Sequence, residues 1–113
     1  MKLMSFVLAA GLAFGADLLS DAAFKKIAAA PQTKQDHVTL AKHYRALATE
    51  HEAEGKMFDT LATGYQKGVA GLSSGQSRDM ARAARHIAEH SRDFAEAATH
   101  IAEAHEGAAE TIK

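Results

Sequence analysis

Residues 81–110, ARAARHIAEHSRDFAEAATHIAEAHEGAAE, carry an alanine at every seventh position. The members of this column are Ala81, Ala88, Ala95, Ala102 and Ala109. A seven-residue apolar repeat is typical of a coiled coil, because helices with 3.6 residues per turn must supercoil to keep such a column on one face. Alanine also lets a partner helix approach to the short end of the usual interaxial range of about 8–10 Å. The stretch therefore predicts a long helix packed closely on a second helix.

The partner helix is predicted over residues 36–67, where three columns repeat at the same spacing. They are Ala41, Ala48, Gly55 and Ala62; Leu40, Leu47, Glu54 and Leu61; and His37, Tyr44, His51, Phe58 and Tyr65. The helix can be capped by Asp36, or by Thr33 with Asp36 three residues later as a capping box.

Glycine and serine predict a turn after the partner helix. Gly68 suits the position just beyond a helix C-terminus, and Ser77 suits the N-cap of the next helix. Residues 68–76 are therefore predicted as a loop and residues 77–112 as the second helix. Two long helices joined by a short loop form an antiparallel helical hairpin, so the predicted fold is all-α with coiled-coil packing.

The apolar face of each helix is wider than one partner helix can cover. The second helix adds two columns. They are Ala84, Ser91, Ala98, His105 and Ile112; and Met80, Ile87, Phe94, Ile101 and Ala108. Because a lone alanine-rich hairpin is marginal, we expect a homodimer, a dimeric four-helix bundle held by the column from Ala81 to Ala109. The alternative is a third helix formed by residues 17–30. Residues 23–35 are predicted as a short helix and linker, in which Pro31 ends the helix.

The N-terminal segment, residues 1–22, has the features of a signal peptide. One lysine precedes an apolar run over residues 3–14, and small residues suit cleavage after Gly15 or after Ala22. The run is shorter than the roughly 20 apolar residues of a membrane-spanning helix. We therefore predict a periplasmic or secreted protein with no stable membrane span after signal removal. The alternative is a short N-terminal core helix.

Composition excludes several classes of function. The chain has 113 residues, a formal charge of −1 and no cysteine. It therefore lacks the basic surplus of nucleic-acid-binding proteins, and it can form neither disulfides nor thiolate metal sites. The sequence also lacks a glycine-rich phosphate loop and a nucleophile with a base and an orienting acid, so we expect no enzymatic activity.

Polar residues interrupt the predicted seam at its middle. If the hairpin pairs symmetrically about its loop, His51 and Glu54 lie in one layer with His90 and Ser91. Such a layer can fix helix register, or it can hold zinc or another divalent ion through two imidazoles and a carboxylate. His86 and His90 are also spaced to clamp one ion. Ferritin-like bundles instead use inward carboxylates from every helix, so a di-iron site is not expected.

The remaining histidines divide by position. His43, His86 and His100 are predicted to lie on the exposed surface. His37 and His105 are predicted to meet at one end of the bundle.

The chain resembles small exported bacterial proteins that are helical hairpins rich in alanine and histidine. The similarity lies in DHVTLAKHYRALATEHEAEG (36–55) and IAEHSRDFAEAATHIAEAHEGAAE (87–110). The residues that carry it are Asp36, His37, Leu40, Ala41, His43, Tyr44, Arg45, Ile101, Ala102 and His105. The resemblance implies the hairpin fold and export and no particular activity.

Three functions follow from these patterns. The first is a non-enzymatic exported scaffold or interaction module, without a cofactor. The second is a periplasmic protein that binds a divalent metal ion of the zinc or copper type through His51, Glu54, His90 and His86. The third is binding of a small molecule or haem between hairpins.

Overall fold

The computed structural model describes residues 17–112, so most of the predicted signal peptide lies outside the described residues. Within residues 17–112 the chain forms three α-helices and no strand: α1 (Asp21–Ala28), α2 (Lys34–Gln66) and α3 (Ser74–Thr111). This confirms the all-α helical hairpin. The described chain divides into two compact units. We call residues 51–95 the turn unit, and residues 17–50 with 96–112 the terminal unit.

Two side chains cap the start of α2 reciprocally. The Asp36 N–H donates to Thr33 Oγ1 (3.0 Å), while the N–H groups of Gln32 and Thr33 donate to Asp36 Oδ2 (3.0 and 3.2 Å). These hydrogen bonds favour the charged carboxylate, so they lower the pKa of Asp36. Of the two predicted caps, the structure has Thr33, and it begins the helix at Lys34 rather than at residue 36.

The loop between α2 and α3 is shorter than predicted. Gly68 has φ 110°, the left-handed conformation expected after a helix end, and its N–H donates to the Tyr65 carbonyl (3.0 Å). The cap of α3 is Ser73, whose Oγ accepts from the Gln76 N–H (3.1 Å) and whose N–H donates to Gln76 Oε1 (2.9 Å). Helix α3 therefore begins three residues before Ser77.

Ser77 is thus not an N-cap, and that prediction was wrong. The side chain is 3% exposed inside α3, and its Oγ accepts a hydrogen bond from the Val69 N–H (3.1 Å). The reason is that the Ser73–Gln76 pair satisfies two main-chain donors at once, one more than a lone Ser77 could satisfy. Ser77 instead ties the loop to the helix.

Small side chains line the packed face of the turn unit. Ala62, Ala81 and Ala88 are at most 1% exposed. A Cβ added at Gly55 would lie 3.2 Å from Arg92 Cγ and 3.3 Å from the Ala88 carbonyl oxygen, so α2 and α3 approach closely here and a larger residue would make its neighbours shift by a few tenths of an ångström. The predicted close packing along the alanine columns is confirmed.

Ion pairs line one edge of the packed face in each unit. In the turn unit Arg92 Nη1 lies 2.6 Å from Asp59 Oδ2. In the terminal unit the Arg45 guanidinium binds both carboxylate oxygens of Glu106 (2.8 and 3.0 Å), and the hydrogen bonds lower the pKa of Glu106. Exposed pairs of this kind contribute little stability, and they mark the edge that faces water.

Helix α1 packs on α2 in the terminal unit. The Phe24 ring lies 4.8 Å from the His43 ring and 5.9 Å from the Tyr44 ring, centroid to centroid. The Leu19 N–H donates to His43 Nδ1 (3.0 Å), and Ser20 caps α1 by accepting from Ala23 N–H. The structure therefore contains the third helix that was the alternative prediction.

Packing within the chain buries both His43 and the alanine column of α3. His43 was predicted to be exposed, but it is only 7% exposed because α1 covers it. The column Ala81, Ala88, Ala95, Ala102 and Ala109 is between 0% and 6% exposed within a single chain. These alanines are therefore buried by packing within the chain, and the homodimer stays a prediction.

Candidate interaction surface and histidine pairs

Helix α3 leaves apolar side chains exposed along one edge of its packed face in the turn unit. Ile87 is 44% exposed and Phe94 is 47% exposed, and they stand seven residues apart. Ala83 is exposed one helical turn before Ile87, and Met80 is half-buried. We call Met80, Ala83, Ile87, His90 and Phe94 the α3 strip. The Phe94 ring lies 4.0 Å from the His51 ring of α2, centroid to centroid, so the strip borders the face that α2 covers and leaves nearly half of Ile87 and of Phe94 exposed.

Glu54 joins two of the predicted polar residues in the turn unit. His51 Nδ1 lies 3.1 Å from Glu54 Oε1, and the Ser91 hydroxyl donates to the same oxygen (2.8 Å). Ser91 is 5% exposed, whereas the Glu54 side chain is 43% exposed. Glu54 therefore satisfies a buried hydroxyl from the edge of the seam, an arrangement that suits a structural role.

His86 and His90 lie apart from this network, on the exposed side of α3. Their ring centroids are 4.7 Å apart and the rings are perpendicular within a few degrees (86°). The His86 side chain is 73% exposed, and its Nδ1 lies 3.9 Å from Glu89 Oε1. The structure therefore separates the four predicted metal ligands into two pairs, His51 with Glu54 and His86 with His90. In residues 17–112 no group of three or more His, Asp or Glu side chains is arranged to hold a metal ion.

The predicted meeting of His37 and His105 is confirmed in the terminal unit. Their Nδ1 atoms are 2.9 Å apart, so one nitrogen carries the proton and the other accepts it. The Tyr44 ring is stacked on His105 with a centroid distance of 6.1 Å and an angle of 14°. Burial lowers the pKa of His105, and the neighbouring His37 lowers it further. The uncharged form of His105 is thereby favoured.

His43 is a polar site that the sequence pattern placed incorrectly. Its Nδ1 accepts from a main-chain N–H, which requires the lone pair of the uncharged ring. Burial lowers the pKa of His43 and favours the same form. The sequence feature that points to this contact is the amphipathic segment 17–30, whose apolar side chains must pack against another helix. In the structure they pack on the part of α2 that carries His43.

No protein family, curated protein or solved structure matches this chain. Within the described residues, none of the helices is long and apolar enough to cross a membrane.

Proposed function

We propose that this chain is an exported, non-enzymatic interaction protein that pairs with a second copy of itself through the α3 strip. The observation that carries the proposal is the exposure of Ile87 and Phe94, at 44% and 47%, beside the face of α3 that already packs on α2. Large apolar side chains left exposed beside a packed seam are typical of a surface that a further helix covers.

The α3 strip is complementary to itself when two copies of α3 run antiparallel with their His90 residues opposite each other. Ile87 lies three residues before His90, and Phe94 lies four residues after it. Ile87 of one copy therefore lies opposite Phe94 of the second copy, and Phe94 of the first lies opposite Ile87 of the second. His86 and Asp93 are related in the same way, which brings an imidazole near a carboxylate. A two-fold axis at His90 thus places apolar side chains opposite apolar side chains and His86 opposite Asp93. Such self-complementarity is what a symmetric interface requires.

The expected dimer is weak. Fully burying an isoleucine or phenylalanine side chain is worth about 1.5–3 kcal/mol, so burying the exposed halves of four such side chains contributes about 3–5 kcal/mol. Association costs at least about 4 kcal/mol, and Met80 and Ala83 add further apolar area. These terms nearly cancel, so we expect a weak, reversible dimer with a Kd of about 1 mM or above, whose population rises only at high protein concentration.

Sedimentation equilibrium of the parent and of two variants tests this proposal. Ile87→Glu places a charge in the α3 strip, and Ala53→Glu places the same charge on an exposed site of α2 in the same unit. We expect the parent and Ala53→Glu to dimerise and Ile87→Glu to stay monomeric. A parent that is monomeric at every concentration, or an Ile87→Glu variant that dimerises as the parent does, would contradict the proposal.

Export is the second part of the proposal, and the terminal unit favours one of the two cleavage positions. Cleavage after Gly15 leaves the Leu19 N–H that binds His43 and the Ser20 cap of α1 in the mature chain. Cleavage after Ala22 removes both. We therefore expect a mature chain that begins at Ala16, which intact-mass measurement on a periplasmic extract can detect. A chain that begins at Ala23, or a full-length cytosolic species, would contradict this expectation.

A further inference from the structure

We infer that His37 and His105 form a two-histidine site for copper(II), which ties the N-terminal part of α2 to the C-terminal part of α3 within the terminal unit. The site lies within one chain, so it does not depend on the proposed dimer.

The two nitrogens are close enough to bind one ion together. Bonds from imidazole nitrogen to a first-row divalent ion are about 2.0–2.1 Å long, so nitrogens that lie 2.9 Å apart in the hydrogen-bonded pair can both reach one ion once the rings turn their lone pairs toward it. Two neighbouring imidazoles are a common part of a tetragonal copper(II) site. Copper(II) also stands highest among these ions in affinity for nitrogen ligands.

The surroundings of the pair allow both nitrogens to bind the ion. In the free protein one of the two Nδ1 atoms carries a proton, so on binding that ring moves its proton to Nε2. Both rings then bind as neutral ligands and their total charge does not change. The stacked Tyr44 ring holds the orientation of His105. Both histidines are half-buried, which leaves room for water to fill the remaining ligand positions.

The test titrates copper(II) into untagged protein in which His86→Ala and His90→Ala remove the exposed pair on α3. Thermal unfolding is followed by circular dichroism. We expect Tm to rise with free copper, and the rise to disappear when His37→Ala or His105→Ala is added. The matched control is His100→Ala, an exposed histidine of the same unit, which should keep the full rise. A copper response that survives loss of His37 and of His105 would overturn the inference, and so would an equal response to zinc.

A second measurement needs no substitution at the site and covers the case in which a variant fails to fold. Copper(II) is paramagnetic and broadens the NMR signals of nearby imidazoles. At substoichiometric copper we expect the ring signals of His37 and His105 to broaden before those of His43 and His100. Broadening that begins at His100, or that is uniform over the histidines, would contradict the inference.

Discussion

Replacing Phe24 with alanine should release α1 from the terminal unit while the rest of that unit stays folded. The Phe24 ring contacts both His43 and Tyr44, and the side chain is half-buried. Truncating a fully buried phenylalanine costs about 3–5 kcal/mol, so we expect about half of that value, roughly 1.5–2.5 kcal/mol, for the docking of α1. Since each 1.4 kcal/mol is a factor of ten, the undocked population should rise by about 10- to 70-fold.

Hydrogen exchange at the Leu19 amide reports the docking directly, because that N–H is bonded to His43 Nδ1 in the docked state. Where opening is fast and reversible, the exchange rate follows the undocked population. Exchange at Leu19 should therefore accelerate by the same factor in Phe24→Ala, while the Ala102 amide within α3 keeps its rate. Lys25→Ala, at an exposed position of α1, is the control and should leave both rates unchanged. An unchanged Leu19 rate, or equal acceleration at Ala102, would refute the reasoning.

Two further predictions concern acid and glycine. Because burial lowers the folded-state pKa of His43, the folded protein binds fewer protons than the unfolded chain, and its stability should be full above about pH 6.5 and fall as pH drops below that value. His43→Asn can still accept from the Leu19 N–H but does not titrate, so it should lose less stability than the parent between pH 7.5 and pH 5, as measured by urea unfolding. Equal losses of stability in the parent and the variant would argue against this role of His43. Gly64→Ala should raise the free energy of unfolding by up to about 1 kcal/mol, since nothing lies within 4 Å of the added Cβ. Gly55→Ala should give no gain because the Ala88 carbonyl oxygen lies 3.3 Å away, and equal gains at both sites would show that the helices are not in close contact there.

The alanine columns were predictable from the sequence because their repeat depends only on helix geometry. Ala62, Ala81 and Ala88 are buried where a seven-residue spacing places them, and the meeting of His37 and His105 follows from pairing the two helices about their loop. Both features follow from the helical repeat and from the pairing of two helices alone, and neither depends on α1.

Two kinds of feature were not predicted from the sequence. One is the choice between two residues that could serve the same role, and the other is burial by the third helix, α1. Ser73 and Ser77 are both suitable caps, and only the position of Gln76 relative to Ser73 distinguishes them. His43 looks exposed on a two-helix hairpin and becomes buried because α1 docks on it. Ser91 and His90 were both predicted to share a layer with Glu54, but only Ser91 binds it, because one residue along a helix is about 100° around the axis and His90 therefore lies on the exposed side.

A cysteine at position 90 tests the proposed two-fold axis most directly. The chain has no native cysteine, so His90→Cys provides a single thiol. If two copies pack antiparallel about residue 90, the two thiols meet at the axis within reach of a disulfide bond, and mild oxidation should give a covalent dimer. Ala53→Cys, exposed on α2, is the control and should remain monomeric under the same oxidation. The proposal predicts rapid cross-linking of His90→Cys alone, and no cross-linking, or equal cross-linking of both variants, would contradict it.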